Sequence, residues 1–474
     1  MKQLLWVDGE WVEGAGYTDL FSPYKHTKIA EVARADVKQV HAAIESASRA
    51  FEITRKMPAH QRADILEKVA DFIKQDRKEC AELIAKEAGK PLKYALAEVD
   101  RTIMTYKFAS EEARRLYGET VPLDAAPGGE GRVSYTVKEP LGVITGITPF
   151  NFPMNLVAHK IGPAIASGNT IVIKPASQTP LSSFKIAEYF HMAGLPAGAL
   201  NVISGSGSEI GEILTKDDRV KMITFTGSPS VGESIRNHAG LKRVTLELGS
   251  NSAVIVDKDS DLESVVPRVI TGAFSYQGQV CISIQRIFVQ ESIFHAFVKA
   301  MVEETKKLTI GDPFSMDTDV SPMISEKDTK RALSWINKAI ENGSALAVGG
   351  KVKEGALEPS ILLHTPLNQE VSCEEVFAPV VHVNPFGEFS EAISMVNQSK
   401  YGLQAGIFTK DVNKAFKAAQ ELHVGGVMIN EIPTFRVDNM PYGGVKMSGM
   451  GREGIKYAVD EMTELKFISF KLEQ

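Results

Sequence analysis

The sequence predicts an α/β protein with two units of parallel sheet and crossover helices, plus a small β element. Three observations predict it. Short runs of β-branched residues alternate with helical patterns at 143–147, 170–173, 200–203 and 222–225. A second such series lies at 252–256, 287–289, 380–383 and 427–429, and a stretch rich in strand formers covers 462–472. Alternation of this kind is typical of parallel strands joined by helices.

The first part of the chain is predicted to be a β-hairpin followed by helices. Asp8 and Gly9, between short Trp and Val runs, are typical of a tight hairpin turn, because both central positions need positive φ. Helices are predicted over 37–51, 60–88 and 92–117, where apolar residues recur at helical spacing. The triplet 89–91 (GKP) ends the second of them. A later helix is predicted over 154–166.

Composition and charge exclude several classes of function. The chain has 474 residues, 43% of them hydrophobic, and a formal net charge of −6, so neither nucleic acid nor membrane is an expected partner. Asp8, Glu10 and Glu13 interrupt the first apolar residues, so no signal peptide or membrane span is expected there. Three scattered cysteines match neither a disulfide framework nor a zinc-ligand pattern. A cytoplasmic protein without a metal site is expected.

Cys281 is the candidate nucleophile. It lies in 276–283 (YQGQVCIS), directly before a predicted strand, so its thiol is expected at a turn between a helix and a strand. For any cysteine taken alone, a small buried apolar side chain is the commoner interpretation. Cys80, inside a helical pattern, keeps that interpretation. So does Cys373, because the neighbouring Glu374 and Glu375 would raise its thiol pKa.

Two polar residues are candidate partners of this thiol. Glu247 lies in an apolar run that ends in glycine, where partial desolvation would raise its pKa towards that of a useful general base. The alternative, a surface carboxylate facing water, is favoured by the local sequence alone. Asn151 is flanked by Pro149 and Pro153, which stiffen the turn and could fix an amide donor for an oxyanion. The alternative is an Asn that caps the next helix.

Two glycine-bearing turns are candidate phosphate sites. Residues 225–232 (FTGSPSVG) follow a strand and open a helix, so their free amides could meet a pyrophosphate. Residues 204–211 (SGSGSEIG) lie in the same context but have one residue too many for the usual dinucleotide fingerprint. Either turn alone is weak evidence.

In this order and spacing the segments resemble the aldehyde dehydrogenase superfamily over almost the whole chain. The most specific matches are TPFNFP at 148–153, ELG at 247–249, GQVC at 278–281, EEVFAP at 374–379 and PYGGVKMSG at 441–449. The resemblance implies the aldehyde dehydrogenase fold: a Rossmann-like dinucleotide-binding domain (1–123 and 140–248), a catalytic α/β domain (249–440) and a β oligomerisation element (124–139 and 441–474). A homodimer or homotetramer is implied as well.

The resemblance also implies residue roles. Cys281 would attack the aldehyde, and the Asn151 amide and the Cys281 backbone N–H would hold the resulting oxyanion. Glu247 would activate the cysteine or the hydrolytic water, with Lys160 assisting near the nicotinamide ribose. Glu375 would bind a ribose and Phe377 would neighbour the nicotinamide. The further contacts implied for the dinucleotide are Thr148, Pro149, Phe150, Lys174, Ser177, Gly207, Gly227, Ser228 and Gly249.

Two positions depart from the commonest family pattern. Ser250 stands where many members have a second glycine. Ser177 stands where NAD-preferring members often carry a glutamate, which bonds the ribose hydroxyls and repels a 2′-phosphate. A serine beside Lys174 can accept that phosphate. We therefore expect NADP to be used at least as well as NAD.

The substrate loop of the resembled family maps to 431–437, just before Asp438. Arg436 is expected to bind an anionic tail on a small aldehyde, because guanidinium pairs well with carboxylate, sulfonate or phosphate. An arginine that bridges loops through Asp438 or another carboxylate is the alternative. Members with similar loops act on succinate semialdehyde, lactaldehyde, phosphonoacetaldehyde or sulfolactaldehyde.

Two other functions are weighed against hydrolytic oxidation. In acylating members of the family, coenzyme A instead of water releases the acyl group, but these usually lack the base that Glu247 would provide. A non-catalytic binding or structural protein on the same fold is expected to have lost the thiol or the oxyanion donor. Cys281 and Asn151 are both present, so hydrolytic oxidation is the preferred interpretation.

Overall fold

The computed structural model describes residues 1–473 and is rich in helices. In chain order the helices are α1 (Val37–Thr54), α2 (Ala59–Gln75), α3 (Arg77–Ala88), α4 (Leu92–Ala113), α5 (Asn155–Ala166), α6 (Leu181–Met192), α7 (Gly207–Lys216), α8 (Pro229–His238), α9 (Leu262–Phe274), α10 (Phe294–Thr305), α11 (Glu326–Glu341), α12 (Glu370–Cys373), α13 (Phe389–Asn397), α14 (Val412–Glu421) and α15 (Ile455–Glu461).

The strands are numbered in the same way. They are β1 (Lys2–Gln3), β2 (Leu5–Val7), β3 (Glu10–Val12), β4 (Gly16–Phe21), β5 (Lys28–Arg34), β6 (Arg132–Pro140), β7 (Val143–Ile147), β8 (Thr170–Lys174), β9 (Leu200–Val202), β10 (Val220–Thr226), β11 (Arg243–Glu247), β12 (Ala253–Val256), β13 (Arg286–Gln290), β14 (Ala345–Val348), β15 (Val352–Lys353), β16 (Ala356–Leu357), β17 (Ser360–Leu363), β18 (Val380–Phe386), β19 (Tyr401–Gly402), β20 (Gln404–Phe408), β21 (Gly426–Ile429), β22 (Val445–Lys446), β23 (Gly449–Met450) and β24 (Thr463–Lys471).

The first large sheet creates a crevice at the ends of two strands. Its strand order is β23-β11-β10-β7-β8-β9-β2-β3, and β7 to β11 run parallel. The chain moves outwards from β7 through β8 and β9, then to the other side through β10 and β11. The carboxyl ends of β7 and β10 therefore flank the switch point, where sheets of this kind bind ligands. Ile144 packs with α2 to α6 on one face, and Ile223 packs with α1, α7 and α8 on the other.

The second large sheet has the order β14-β17-β18-β13-β12-β20-β21 and is parallel except for β14. Its central strand β12 is a continuous apolar run in which Val254, Ile255 and Val256 are fully buried, as expected for a parallel strand covered on both faces. Helices α9 and α10 pack on one face, and α13 and α14 on the other. The prediction of an α/β protein with two parallel-sheet units is confirmed.

Several predicted elements differ in extent from those observed. The Asp8-Gly9 turn is confirmed, with φ of 56° and 80°. The helix expected over 60–88 is two helices, because Asp76 leaves helical geometry and accepts a hydrogen bond from the Tyr189 hydroxyl. The helix expected over 92–117 ends at Ala113, the last position of its buried face.

The C-terminal tail pairs with the 124–139 segment, as expected from the sequence. Strands β6 and β24 pair antiparallel over nine residues each. Within 441–462, β23 pairs with β11 at the edge of the first sheet, and β22 pairs with β19. The domain boundaries stay a prediction.

Candidate active site

A cavity of about 870 Å³ lies at the switch point of the first sheet and extends to the second sheet. It collects most of the residues predicted to act together. The predicted residues that line it are Thr148, Pro149, Phe150, Asn151, Lys174, Gly207, Gly227, Ser228, Glu247, Gly249, Cys281, Glu375 and Phe377. Lys160, Ser177 and Arg436 do not line this cavity in the described part of the chain.

Cys281 lies on a tightly shaped turn between α9 and β13. Tyr276 and Gln277 both adopt left-handed backbone geometry, with φ of 49° and 55°. At Gly278 an added Cβ would lie 2.2 Å from the carbonyl oxygen of Ala378, so only glycine fits there. The Gln277 amide donates to the carbonyl oxygens of Gly89 and Pro322 at 3.1 and 3.0 Å. These contacts fix the position of the thiol.

The environment of the Cys281 thiol is dominated by burial. Burial is the main reason why its pKa is raised to about 11, and hydrogen bonding by Tyr442 and the positive charge of Arg436 only partly oppose that rise. The Tyr442 hydroxyl lies 2.9 Å from the Cys281 sulfur. Cys80 is buried in the helical core and bonds to the Tyr189 hydroxyl, and Cys373 lies outside the cavity, so neither shares this setting.

Asn151 is buried and aimed at the turn that carries the cysteine. Its Nδ2 donates to the carbonyl oxygen of Gln279 at 2.9 Å. It does not cap the following helix, because α5 begins at Asn155 without a side-chain cap on its preceding residue. Instead Oε1 of Glu98 accepts hydrogen bonds from the backbone N–H groups of Met154 and Asn155 at 2.9 and 3.1 Å. No local sequence signal pointed to Glu98.

Glu247 ends β11 and is only 3% exposed. Neither carboxylate oxygen has a hydrogen-bond partner within residues 1–473. Burial raises the pKa of Glu247 well above its usual range, and the negative charge of Glu453 raises it further. The alternative of a surface carboxylate facing water is therefore wrong.

Lys160 lies in a buried network beside the cavity, and its predicted role near the nicotinamide ribose stays a prediction. Its Nζ donates to the Thr224 and Thr226 hydroxyls at 3.1 and 2.8 Å and to Glu453 at 3.1 Å. A fully buried ammonium needs such acceptors, and Glu453 supplies the opposite charge. Burial alone would raise the pKa of Glu453, but Lys160 and Arg436 hold it at about 2. Sequence reasoning missed Glu453, although it follows closely on the 441–449 motif.

A second cavity of about 150 Å³ lies on the other side of Cys281. Cys281 and Leu156 line both cavities. The smaller one is also lined by Arg101, Arg436 and Tyr442, together with the hydroxyl-bearing Ser275 and Thr434. Two guanidinium groups thus lie beside the space in front of the thiol.

Each of these arginines is held by a carboxylate. Arg436 donates to Glu453 at 3.0 Å, so of the two interpretations offered for it, bridging through a carboxylate is observed. That carboxylate is not Asp438, which instead binds Arg101 through two hydrogen bonds of 2.7 and 3.2 Å. Arg436 still lines the smaller cavity. The bridge and a substrate contact are therefore compatible.

The larger cavity fits a dinucleotide. The N-termini of α7 and α8 reach it through Gly207 and Ser228, which places free backbone amides and a positive helix end at the wall. The Thr148 hydroxyl is buried there without a partner in the described chain.

Glu375 lies on the same cavity wall. Its Oε1 accepts a hydrogen bond from the Ser250 N–H at 2.9 Å, and a Cβ on Gly249 would lie 2.3 Å from the other Glu375 oxygen. Burial raises the pKa of Glu375 to about 7.

Residues 1–473 hold no group of three or more His, Cys, Asp or Glu that could bind a metal ion. In the same described range, no helix has the length and apolarity needed to cross a membrane. The expected cytoplasmic location stays a prediction.

Comparison with known proteins decides the family. The model of the aldehyde dehydrogenase family matches residues 11–468. The chain belongs to this family. It is 46% identical over 469 residues to 3-sulfolactaldehyde dehydrogenase of Priestia aryabhattai, covering 99% of this chain and 98% of that protein. The enzyme is thus an NAD(P)-dependent aldehyde dehydrogenase.

Two solved structures show the same fold. One is aldehyde dehydrogenase 21 from Physcomitrella patens in complex with succinate, at a TM-score of 0.97 and 40% identity, covering 99% of this chain and 98% of that one. The other is NADP-dependent glyceraldehyde-3-phosphate dehydrogenase from Bacillus halodurans in complex with NADP, at a TM-score of 0.97 and 38% identity, covering 100% of both chains. The aldehyde dehydrogenase fold expected from the sequence motifs is confirmed.

Proposed function

We propose that this aldehyde dehydrogenase oxidises a small aldehyde with an anionic tail to the carboxylate, through a thiohemiacetal and a thioester on Cys281. One observation carries the proposal: the thiol lies where a dinucleotide-sized cavity meets a small cavity lined by Arg101 and Arg436. An aldehyde in the small cavity has its carbonyl at the sulfur and its tail at the guanidinium groups.

The geometry supports the following sequence of steps. The Cys281 thiolate attacks the carbonyl carbon, and the oxygen becomes an oxyanion. Nδ2 of Asn151 uses one N–H on Gln279, and the amide has a second to offer that oxyanion. The dinucleotide, when bound, supplies the hydride acceptor. Glu247 then takes a proton from the water that attacks the thioester, and the carboxylate leaves as the thiolate re-forms.

Release by water is favoured over release by coenzyme A. The supporting feature is Glu247, a carboxylate on the cavity wall whose raised pKa suits a general base. Product analysis with and without coenzyme A tests the choice. We expect free carboxylate at the same rate in both; an acyl-coenzyme A product would contradict the proposal.

The role of Cys281 is tested by Cys281→Ser. We expect aldehyde oxidation to fall by more than about a thousandfold, since a hydroxyl is a far weaker nucleophile than a thiolate. Dinucleotide binding, measured by quenching of protein fluorescence, should persist. Cys373→Ser removes a thiol outside the cavity and should leave turnover unchanged. Full turnover by Cys281→Ser would end the proposal.

An anionic tail is supported by charge and by the relatives. Among the matched enzymes one is named for a sulfonated aldehyde and one for a phosphorylated aldehyde, one structure holds succinate, and others are named for the neutral lactaldehyde. We expect Arg101→Met to lower kcat/KM for an acidic aldehyde by about 10- to 100-fold, the value of a charged hydrogen bond, and to spare a neutral aldehyde of equal length. Arg115→Met, at a surface ion pair with Glu111, is the control. Equal losses on both substrates would refute an anionic tail.

NADP is proposed to be used at least as well as NAD. Lys174 lines the dinucleotide cavity, and Ser177 lies three residues further on at an exposed position. No carboxylate at 177 repels a 2′-phosphate. Ser177→Glu should lower kcat/KM with NADP by more than about tenfold and leave that with NAD within about twofold. A wild-type enzyme that uses NADP thousands of times less well than NAD would contradict this.

A homodimer or homotetramer is also proposed. The sheet of β6 and β24 exposes Val133, Tyr135 and Phe470, which share one face through the pairing of Phe470 with Val133. Exposed apolar side chains on such a face are typical of a contact between subunits.

A further inference from the structure

The hydroxyl of Tyr442 lies against the catalytic sulfur. The distance between its oxygen and Sγ of Cys281 is 2.9 Å, and Tyr442 is only 2% exposed. Among residues 1–473, this sulfur is the one hydrogen-bond partner of that hydroxyl. A phenol is a strong donor and a thiol a weak one, and a thiolate can only accept. The proton of this bond therefore lies on the tyrosine side whenever the sulfur is ionised.

Tyr442 is held from two sides. Its backbone N–H donates to the carbonyl oxygen of Glu453 at 3.0 Å, and the Glu453 N–H donates back at 2.7 Å. The Arg436 guanidinium lies 3.6 Å from the centre of the Tyr442 ring and donates to the Glu453 side chain. A cation over an aromatic ring is attracted to it, so the ring is held in place. Burial raises the pKa of Tyr442 well above its usual range, with the positive charge of Arg436 opposing that rise, so the phenol keeps its proton for donation to the sulfur.

We propose that Tyr442 is a catalytic residue that donates a hydrogen bond to the Cys281 thiolate, both before attack on the aldehyde and when the sulfur leaves the thioester. The proposal rests on the proposed role of Cys281 as the nucleophile. The proposed partner of the reacting carbonyl oxygen is Asn151. Tyr442 acts on the sulfur, which none of the residues predicted from the sequence contacts by a hydrogen bond within the described chain.

The charges around the sulfur explain why a donor is needed. Glu375 and Glu247 both disfavour the thiolate by their negative charge, while Arg436 and the Tyr442 hydroxyl favour it. In the first step the S–C bond forms and the carbonyl π electrons move to oxygen, so the bond from Tyr442 weakens as the sulfur loses charge. In hydrolysis water adds to the thioester, Glu247 takes its proton, and the S–C bond breaks with its electrons on sulfur. The Tyr442 hydroxyl then donates a hydrogen bond to the negatively charged sulfur and keeps its proton.

The test compares Tyr442→Phe with the wild type by the rate at which iodoacetamide labels Cys281, followed by the mass of its peptide across pH. Because a hydrogen bond to a charged group is lost, we expect the midpoint of labelling to rise by about one pH unit and labelling below that midpoint to slow about tenfold. Tyr106→Phe is the control, since that phenol is equally buried but has no partner among the described residues.

A fluorinated tyrosine at 442 keeps the ring and makes the phenol more acidic. It should move the labelling midpoint to lower pH, a shift that a merely structural role would not produce, and it serves even if Tyr442→Phe folds poorly. An unchanged midpoint in both variants would overturn the inference while leaving Cys281 as the nucleophile. Turnover by Cys281→Ser would instead remove the proposed function itself. The two failures are therefore distinguishable.

Discussion

Glu247 is a buried carboxylate that forms no salt bridge within residues 1–473, and nearby cations affect it only through longer-range charge interactions. Arg436, Lys160 and Arg452 oppose the effect of burial, yet neither Glu247 oxygen has a hydrogen-bond partner in residues 1–473. Its ionised form is therefore costly, and the raised pKa follows from that cost. Since a base acts only when deprotonated, we expect hydrolysis to increase as pH rises through this raised pKa and to be lost below it. A profile of kcat against pH that is flat through neutrality would contradict this assignment.

Glu247→Gln should separate the two halves of the reaction. The amide cannot accept the proton of the hydrolytic water, so kcat should fall by about 10²- to 10⁴-fold. Rapid mixing with aldehyde should still give a burst of reduced cofactor close to one per active site, because the thioester forms and then persists. Glu10→Gln, on the exposed strand β3, is the control. Loss of the burst would show that Glu247 acts before the thioester.

At this scale the sequence predicted which residues lie together in the cavity better than it predicted the side chains that hold them. Cys281, Glu247 and Asn151 stand in short motifs, so their common location could be expected without coordinates. Tyr442 and Glu453 act through side chains far away in the chain, at distances that no local pattern encodes. Lys160 shows the same limit, because its residue type was noticed but its partner was not.

At the scale of elements, the start of α5 is the part that positions Asn151, the proposed oxyanion donor. Glu98 on α4 accepts from the first backbone amides of α5, and its other oxygen pairs with Lys90. Lys90 lies 3.7 Å from the centre of the Phe152 ring and 4.3 Å from that of Tyr276. One buried ion pair thus contacts both the Asn151 turn and the Cys281 turn. Burial lowers the pKa of Lys90 to about 8 in spite of Glu98.

Glu98→Ala should therefore destabilise the protein strongly. It leaves Lys90 as a buried cation without its partner and the first amides of α5 without an acceptor, at a cost of about 3 to 5 kcal/mol. Urea unfolding followed by circular dichroism measures the loss. Glu82→Ala, at an exposed pair with Lys78, should cost less than about 1 kcal/mol. The double variant Lys90→Met, Glu98→Gln should recover part of the stability; a double variant less stable than Glu98→Ala would contradict this account.

Helices and strands could be predicted from hydrophobic periodicity and composition where one of their sides is buried. The run 252–256 predicted the strand observed at 253–256, and helical spacing predicted α1 and most of α4. The break at Asp76 was missed because it depends on Tyr189, which lies on another helix. The strands β22 and β23 were missed because two residues are too few for a pattern, and their pairing partners are distant in sequence.

At the scale of the whole molecule, the C-terminal segment links the units that form the site. β23 extends the first sheet next to Glu247, α15 packs on α5, and β24 then leaves the body to pair with β6. The strand that carries the exposed apolar face is therefore continuous with residues that surround the active site. Contact between subunits at this face would fix the position of both ends of that segment.

The double variant Tyr135→Asp, Phe470→Asp tests whether this face joins subunits. The two rings stack at 6.2 Å and both are exposed, so the wild-type face is apolar and the variant places two charges on it. Burying two unpaired carboxylates in a contact is costly, so the mass by sedimentation should drop to that of a single chain while circular dichroism is unchanged. Leu241→Asp, at an exposed apolar residue after α8, should leave the mass unaltered. A variant that keeps the wild-type mass, or a wild type that is already a single chain, would show that the face has another role.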